Sequence, residues 1–263
     1  MAQTLELHLV GIGTGNPDHL TLEAIRTLDR ADLILLPRKG EDKADLLDLR
    51  RGICERLLSG HARVAEFDLP VRAATDDYLA AVADWHAAIA AEWGRQIDAH
   101  LPAGGRRVAL MIWGDPSLYD SSLRIAARLD AAGRTLKVAV VPGITSLQAL
   151  TAAHRIALNT VAAPVSITTG RCLRETGWPA DVDTVAVMLD GACAFQSIAP
   201  QGVRIWWGAY LGMPQQALSC GMLDEVGNGI VRLRAELRQR HGWIMDIYLL
   251  RRDPAQVPAG PAA

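Results

Sequence analysis

From Leu5 to Val141 the chain alternates five short runs of aliphatic and β-branched residues with longer stretches of helical periodicity, and no other feature restricts the fold as much. Strands joined through long helical connections return parallel to one another, because a parallel pair needs a crossover that a tight turn cannot provide. The expected strands are Leu5–Ile12, Asp32–Leu36, Arg63–Leu69 and two buried ones, Val108–Trp113 and Leu136–Val141, with Pro37 stopping the second. Helices are expected at Thr21–Ala31, opened by a Thr cap with Glu23 in its first turn, and at Ala44–Leu58, Asp76–His100 and Ser121–Ala132. Trp85 and Trp93 lie eight positions apart on one face of the longest helix and read as core.

After Pro142-Gly143 the texture changes. A helix at Thr145–His154 leads into more closely spaced strands at 164–169, 183–189, 203–208 and 244–250, with helices near 192–199 and 229–240. That spacing suits a mixed sheet. The expected organisation is α/β, with an N-terminal open five-stranded parallel domain at 1–144, a C-terminal mixed α/β domain at 145–252 and a tail at 253–263.

Charge narrows the function. With 27 Lys and Arg against 29 Asp and Glu in 263 residues, the chain lacks the cationic surplus that binding by phosphate neutralisation requires, so no nucleic-acid partner is expected. Three of those 27 basic residues, Lys39, Lys43 and Lys137, are lysine and 24 are arginine, whose planar fork suits a small polyanion; genomic bias explains the same excess. Cys54, Cys172, Cys193 and Cys220 have no close spacing, and the histidines no pairing, of the kind metal sites use, so no metal is expected. No apolar run reaches the ~18 residues of a membrane span and no signal-peptide pattern opens the chain, which reads as a cytoplasmic protein with no membrane partner.

Three loops follow carboxyl ends of expected strands, where ligands collect in open α/β sheets. The first is Val10-Gly11-Ile12-Gly13-Thr14-Gly15-Asn16-Pro17. It is misspaced for a dinucleotide fingerprint, since Asn16 stands where the third glycine belongs, and a nicotinamide-dependent oxidoreductase is the weaker reading of it. The second is Gly114-Asp115-Pro116-Ser117-Leu118-Tyr119, and the third Val141-Pro142-Gly143-Ile144-Thr145-Ser146. Each alone is an ordinary turn or helix start; three on one sheet favour a shared pocket.

In this order and spacing, Gly11–Pro17 with Leu20, Thr21 and Ala24, then Gly114-Asp115-Pro116 with Tyr119, then Pro142–Ser146 resemble the tetrapyrrole methylases, over about residues 5–252. The resemblance implies two α/β domains holding S-adenosyl-L-methionine between them, and a homodimer. It implies cofactor contacts from Pro17, Trp113, Gly114, Asp115, Thr145 and Ser146, and from strand backbones at Met188, Leu211 and Ile244 or Met245. Many relatives have Gly-Pro-Gly where this chain has Gly13-Thr14-Gly15. The stretches Lys39–Leu46, Leu49–Arg51 with Ile53–Arg56, and Trp207–Gly212 resemble the branch of aerobic cobalamin synthesis that methylates precorrin-5 at C1 and releases the acetyl group left by ring contraction as acetate. A sibling precorrin methylase, or a non-catalytic protein binding S-adenosylmethionine or a tetrapyrrole, fits the same loops.

Methyl transfer from a sulfonium asks for alignment, whereas water attack on an acetyl carbonyl profits from a base and an oxyanion donor. Asp115, Tyr119 and Asp246 are the candidate catalytic groups, with Asp18, His8 and His19 as further polar candidates. Asp246 interrupts an apolar strand and reads equally as an exposed edge carboxylate. Arg38, Arg50 and Arg51 could meet substrate carboxylates but read as solvated helix-face or strand-end arginines.

Overall fold

The computed structural model describes residues 4–38, 44–73 and 77–252. The tail at 253–263, the helix start at Asp76 and the Lys39–Lys43 part of the precorrin-like stretch lie outside them. The chain divides into two compact units, residues 1–145 and 146–263.

In the first unit β1 (Leu5–Gly11), β2 (Leu33–Arg38), β3 (Arg63–Asp68), β4 (Arg107–Ile112) and β5 (Leu136–Val141) form a wholly parallel sheet in the order β3-β2-β4-β1-β5. Its helices are α1 (Leu22–Asp29), α2 (Ala44–Leu57), α3 (Tyr78–His100) and α4 (Ser122–Ala131). Thr21 caps α1 by accepting the Ala24 N–H at 3.0 Å, as the sequence anticipates. Alternation along the strands sends Leu5, Leu7, Leu9, Leu33 and Leu35 to one face, against Ile89, Trp93 and Ile97 of α3 and Ile125 and Leu129 of α4. Val10, Ile34, Leu36, Ala109 and Met111 go to the other, against Leu28 of α1 and Leu47 and Ile53 of α2. Trp93 is buried and Trp85 packs against the first cluster, so both tryptophans serve the core.

Two expectations fail here for local reasons. Pro37 does not stop β2, which runs on to Arg38. The Arg38 carbonyl accepts from Leu69 N–H on the β3 side, so Pro37 turns its nitrogen toward β4, with which β2 has stopped pairing after Leu35↔Leu110. The missing donor therefore falls on the side where the β2–β4 pairing has ended. β5 is not buried either: it is the edge of the sheet, and Val138 and Val140 are about two-fifths exposed.

The second unit opens with α5 (Ser146–His154) and contains β6 (Val165–Thr169), α6 (Gly170–Thr176), β7 (Thr184–Met188), β8 (Val203–Ala209), β9 (Ala217–Met222), α7 (Leu223–His241) and β10 (Asp246–Arg252). The order is β6-β7-β10-β8-β9, with β6 and β7 parallel and the other neighbours antiparallel, a mixed sheet. Sequence reading misses β9, an edge strand whose Ser219-Cys220-Gly221 centre has little strand character. It also misses α6 and starts α7 six residues late, because Gly227 and Gly229 disguise the first turns. The helix expected near 192–199 is one 3-10 turn, Ala194–Ser197, and β10 begins at Asp246 rather than 244.

Candidate functional site

β4, β1 and β5 lie side by side, so their three glycine-containing loops emerge together at the carboxyl edge of the sheet. The structure ties them into one body. Gly13 N–H donates to the Gly114 carbonyl at 3.3 Å and Gly114 N–H to the Gly13 carbonyl at 2.8 Å, an antiparallel bridge between the first loop and the second. Asp115 joins the second to the third: its Oδ2 accepts the Gly143 N–H at 2.8 Å, while Oδ1 accepts the Ser117 N–H at 2.8 Å and the Ser117 hydroxyl at 2.5 Å. Burial pushes the Asp115 carboxyl up, but the bonds from Ser117 and Gly143 outweigh it and hold the group below the usual carboxylate range. Glycine is required where the loops touch. A Cβ on Gly143 would stand 2.1 Å from the Gly114 oxygen, and one on Gly11 would stand 2.6 Å from the Gly143 nitrogen.

The result is a floor of bare backbone beside two polar atoms that lack partners. Thr14 is 4% exposed, and neither its hydroxyl nor the buried Nδ1 of His19 has a hydrogen-bond partner among the described residues. Pro17 starts a 3-10 turn, Pro17–His19, capped by Asn16 accepting the Asp18 N–H at 3.0 Å. Trp113 is half-buried against the α1/α2 core, and Tyr119 stands partly exposed with φ +50°. Strained residues of this kind collect where a chain must present a group rather than pack it. His8 lies within β1 beside Glu6, which is 3.8 Å away, before the loop begins.

In the second unit Met188 closes β7, and Leu189 follows at φ +52°, two-thirds exposed. Asp190 fixes that turn from beneath. It is 5% exposed and accepts from the Ala192 and Ala194 amides, from Arg174 at 3.0 Å and from the Tyr248 hydroxyl at 2.7 Å. Leu211 is buried just past β8, and the Met245 carbonyl accepts the Tyr210 N–H at 2.9 Å, so the β8 turn and the entry to β10 are bound together. Ile244 is half-buried next to Met245. Asp246 is not an edge carboxylate: β10 is the central strand, and the side chain is 6% exposed. Its Oδ2 accepts from Arg234 Nε at 2.8 Å and Trp207 Nε1 at 2.9 Å, and its Oδ1 from Arg234 Nη2 at 3.3 Å. Arg234 Nη2 also donates to the Asp190 carbonyl at 2.9 Å.

The model of the tetrapyrrole (corrin/porphyrin) methylases matches residues 6–227, and the three tied loops all fall within that span. The chain belongs to the tetrapyrrole methylase family. This methylase is 46% identical over 247 residues to the precorrin-6A synthase (deacetylating) of a Sinorhizobium species, covering 93% of the chain and 94% of the relative. The crystal structure of a cobalamin synthesis related protein (CobF) from Corynebacterium diphtheriae superposes with TM-score 0.82 at 38% identity, over 95% of the methylase and 99% of that chain. The uroporphyrin-III C-methyltransferase of Thermus thermophilus complexed with S-adenosylhomocysteine shares the fold, with TM-score 0.57 at 21% identity over 94% and 97%.

Sequence reasoning singled out Asp115 and Asp246 but not the groups that hold them. Ser117 was legible, since an Asp two residues before a Ser is the pattern of a side-chain-closed turn. Arg234 was not: it comes from a helix face twelve positions before Asp246, and only tertiary structure brings the two together.

Proposed function

We propose that this methylase is an S-adenosylmethionine-dependent C-methyltransferase of aerobic cobalamin synthesis that methylates precorrin-5 at C1 and releases acetate, giving precorrin-6A. The observation that carries the reading is 46% identity along nearly the whole of a deacetylating precorrin-6A synthase. The cytoplasm as its location and a homodimer as its assembly belong to the same proposal.

The residues present fit the cofactor. A Cβ at Gly114 would meet only the Thr145 Cα at 4.0 Å, so the second loop leaves room for close approach, and the Thr14 hydroxyl, unpartnered among the described residues, offers a polar contact. When bound, S-adenosylmethionine supplies a methyl group activated as a sulfonium. Pro17, Trp113, Gly114, Thr145 and Ser146 hold it from the first unit's loops and the start of α5. Backbone groups at Met188, Leu211 and Ile244 or Met245 hold its adenine from the second. Asp115 serves by fixing the loops, since both of its oxygens are already engaged. Asp246, bound by Arg234 and Trp207, likewise positions the entry to β10. Tyr119 is the group proposed to donate to the oxyanion that forms when water adds to the acetyl carbonyl.

Calorimetry is expected to show micromolar binding of S-adenosylhomocysteine and no binding of NADH; the reverse overturns the reading. With precorrin-5, one acetate is expected for each methyl transferred, and methylation without acetate would reassign the protein to a sibling reaction. Asp115→Ala is expected to weaken S-adenosylhomocysteine at least about tenfold, roughly 1.4 kcal/mol. Asp115→Asn should lose nearly as much, because either orientation of its amide turns an NH2 toward one of the two backbone N–H groups now bound. An Asn variant with wild-type affinity would show that the charge and one of the two backbone contacts are dispensable. The Asp115 carboxyl has a lower pKa folded than unfolded, so it contributes stability above the unfolded value of about 3.9 and loses it as pH falls through the folded value; the acid-induced drop in melting temperature should be shallower in Asp115→Ala.

A further inference from the structure

Most arginines that the fold holds in place meet a carboxylate. Arg38 meets Asp68, Arg51 meets Glu66, Arg107 meets Asp32, Arg134 meets Asp98, and Arg174 and Arg234 meet Asp190 and Asp246. Arg50 is the exception among the deeply buried ones. Its residue is only 7% exposed, against the expectation of a solvated helix-face side chain, and no carboxylate of the described residues stands within 4 Å. It donates only to main chain: Nε to the Met111 carbonyl at 3.3 Å and Nη1 to the Leu46 carbonyl at 3.1 Å. Nη2 makes no hydrogen bond among the described residues. Asp120 attracts the guanidinium from beyond ion-pair range, but its Oδ1 is occupied by the Ser122 N–H at 2.7 Å. Burial pulls the Arg50 pKa down to about 10, still charged at neutral pH.

Part of this arrangement has a structural explanation. Continuing the β2–β4 register past Leu35↔Leu110 brings Pro37 to the place from which an N–H would reach the Met111 carbonyl. Proline has none, and Arg50 Nε takes the bond. A neutral amide would do that equally well, whereas a buried cation with no carboxylate of the described residues in ion-pair range, and only Asp120 beyond it, carries a desolvation cost. The charge therefore has another use. Met111 lies two residues before Trp113 and four before Asp115, at the strand end from which the Gly-Asp-Pro loop emerges.

We infer that Arg50 is an anion site at the carboxyl edge of the first sheet, and that its unused Nη2 receives a side-chain carboxylate of the tetrapyrrole substrate. The inference rests on the proposed substrate class. Its test uses uroporphyrin, a polycarboxylate tetrapyrrole, titrated by fluorescence against the full chain in the presence of S-adenosylhomocysteine, with the uncharged methyl ester of uroporphyrin in parallel. Arg50→Gln keeps a donor for Met111 and removes the charge. It is expected to weaken uroporphyrin at least about tenfold, to leave the ester unchanged and to leave the S-adenosylhomocysteine affinity within error. Arg50→Lys, which keeps the charge without the fork, should fall between, and decides the matter if the Gln variant does not fold. Wild-type uroporphyrin affinity in the folded Gln variant overturns the site, as does a wild type that binds S-adenosylhomocysteine but not uroporphyrin. Failure of the wild type to bind S-adenosylhomocysteine overturns the proposed function instead.

Discussion

Alanine at position 143 is expected to abolish detectable S-adenosylhomocysteine binding and to destabilise the first unit by about 3 kcal/mol. The added methyl would stand 2.1 Å from the Gly114 carbonyl oxygen and 2.8 Å from the Gly11 carbonyl carbon. Both obstacles are backbone, so no side chain can rotate away. The loops would have to separate, and separation breaks the Asp115–Gly143 bond. Gly229→Ala is the matched control: its Cβ meets nothing within 4 Å and it lies inside α7, where alanine stabilises a helix by up to ~1 kcal/mol. Denaturant melts and calorimetry on both variants check the contrast. A Gly143→Ala protein that binds like the wild type would mean that the loops are not locked as described.

Arg234→Met should cost about 3–5 kcal/mol in urea unfolding, because it strands the Asp246 carboxylate in the second unit and removes the donor to the Asp190 carbonyl. Arg234→Met combined with Asp246→Leu is expected to recover most of the loss, since taking both charges away removes the desolvation penalty that a lone carboxylate carries. It should not restore S-adenosylhomocysteine affinity. The Asp190 carbonyl still lacks its bond, Trp207 Nε1 has lost its acceptor, and the turn after Met188 has lost one of its ties. If the single variant unfolds within 1 kcal/mol of the wild type, the pair behaves as a surface bridge and the buried assignment is wrong.

These two positions show which features of the fold and site could be read from sequence. The three loops were visible because close backbone contact admits only glycine and because each follows an apolar run; chain-local chemistry announces itself in spacing. The bracing of the turn after Met188 was not, since Arg234 and Asp190 reach their partners across elements that no periodicity relates. Arg50 was misjudged for a related reason: a helix-face arginine is normally wet, and only the parting of β2 from β4 beside Pro37 creates a buried acceptor for it. β9 was lost because edge strands need little propensity when a neighbour supplies the ladder.

The bridge between Gly13 and Gly114 and the Asp115 tie to Gly143 also determine how such a protein can diversify. A change in one loop's backbone is transmitted to the other two, so the frame is inherited whole or not at all. Variation is then expected at positions the clasp does not use, such as Thr14, whose hydroxyl has no partner among the described residues. Relatives that handle different macrocycles would share the scaffold while varying at such sites, and swapping this one side chain is a smaller step than remodelling a loop.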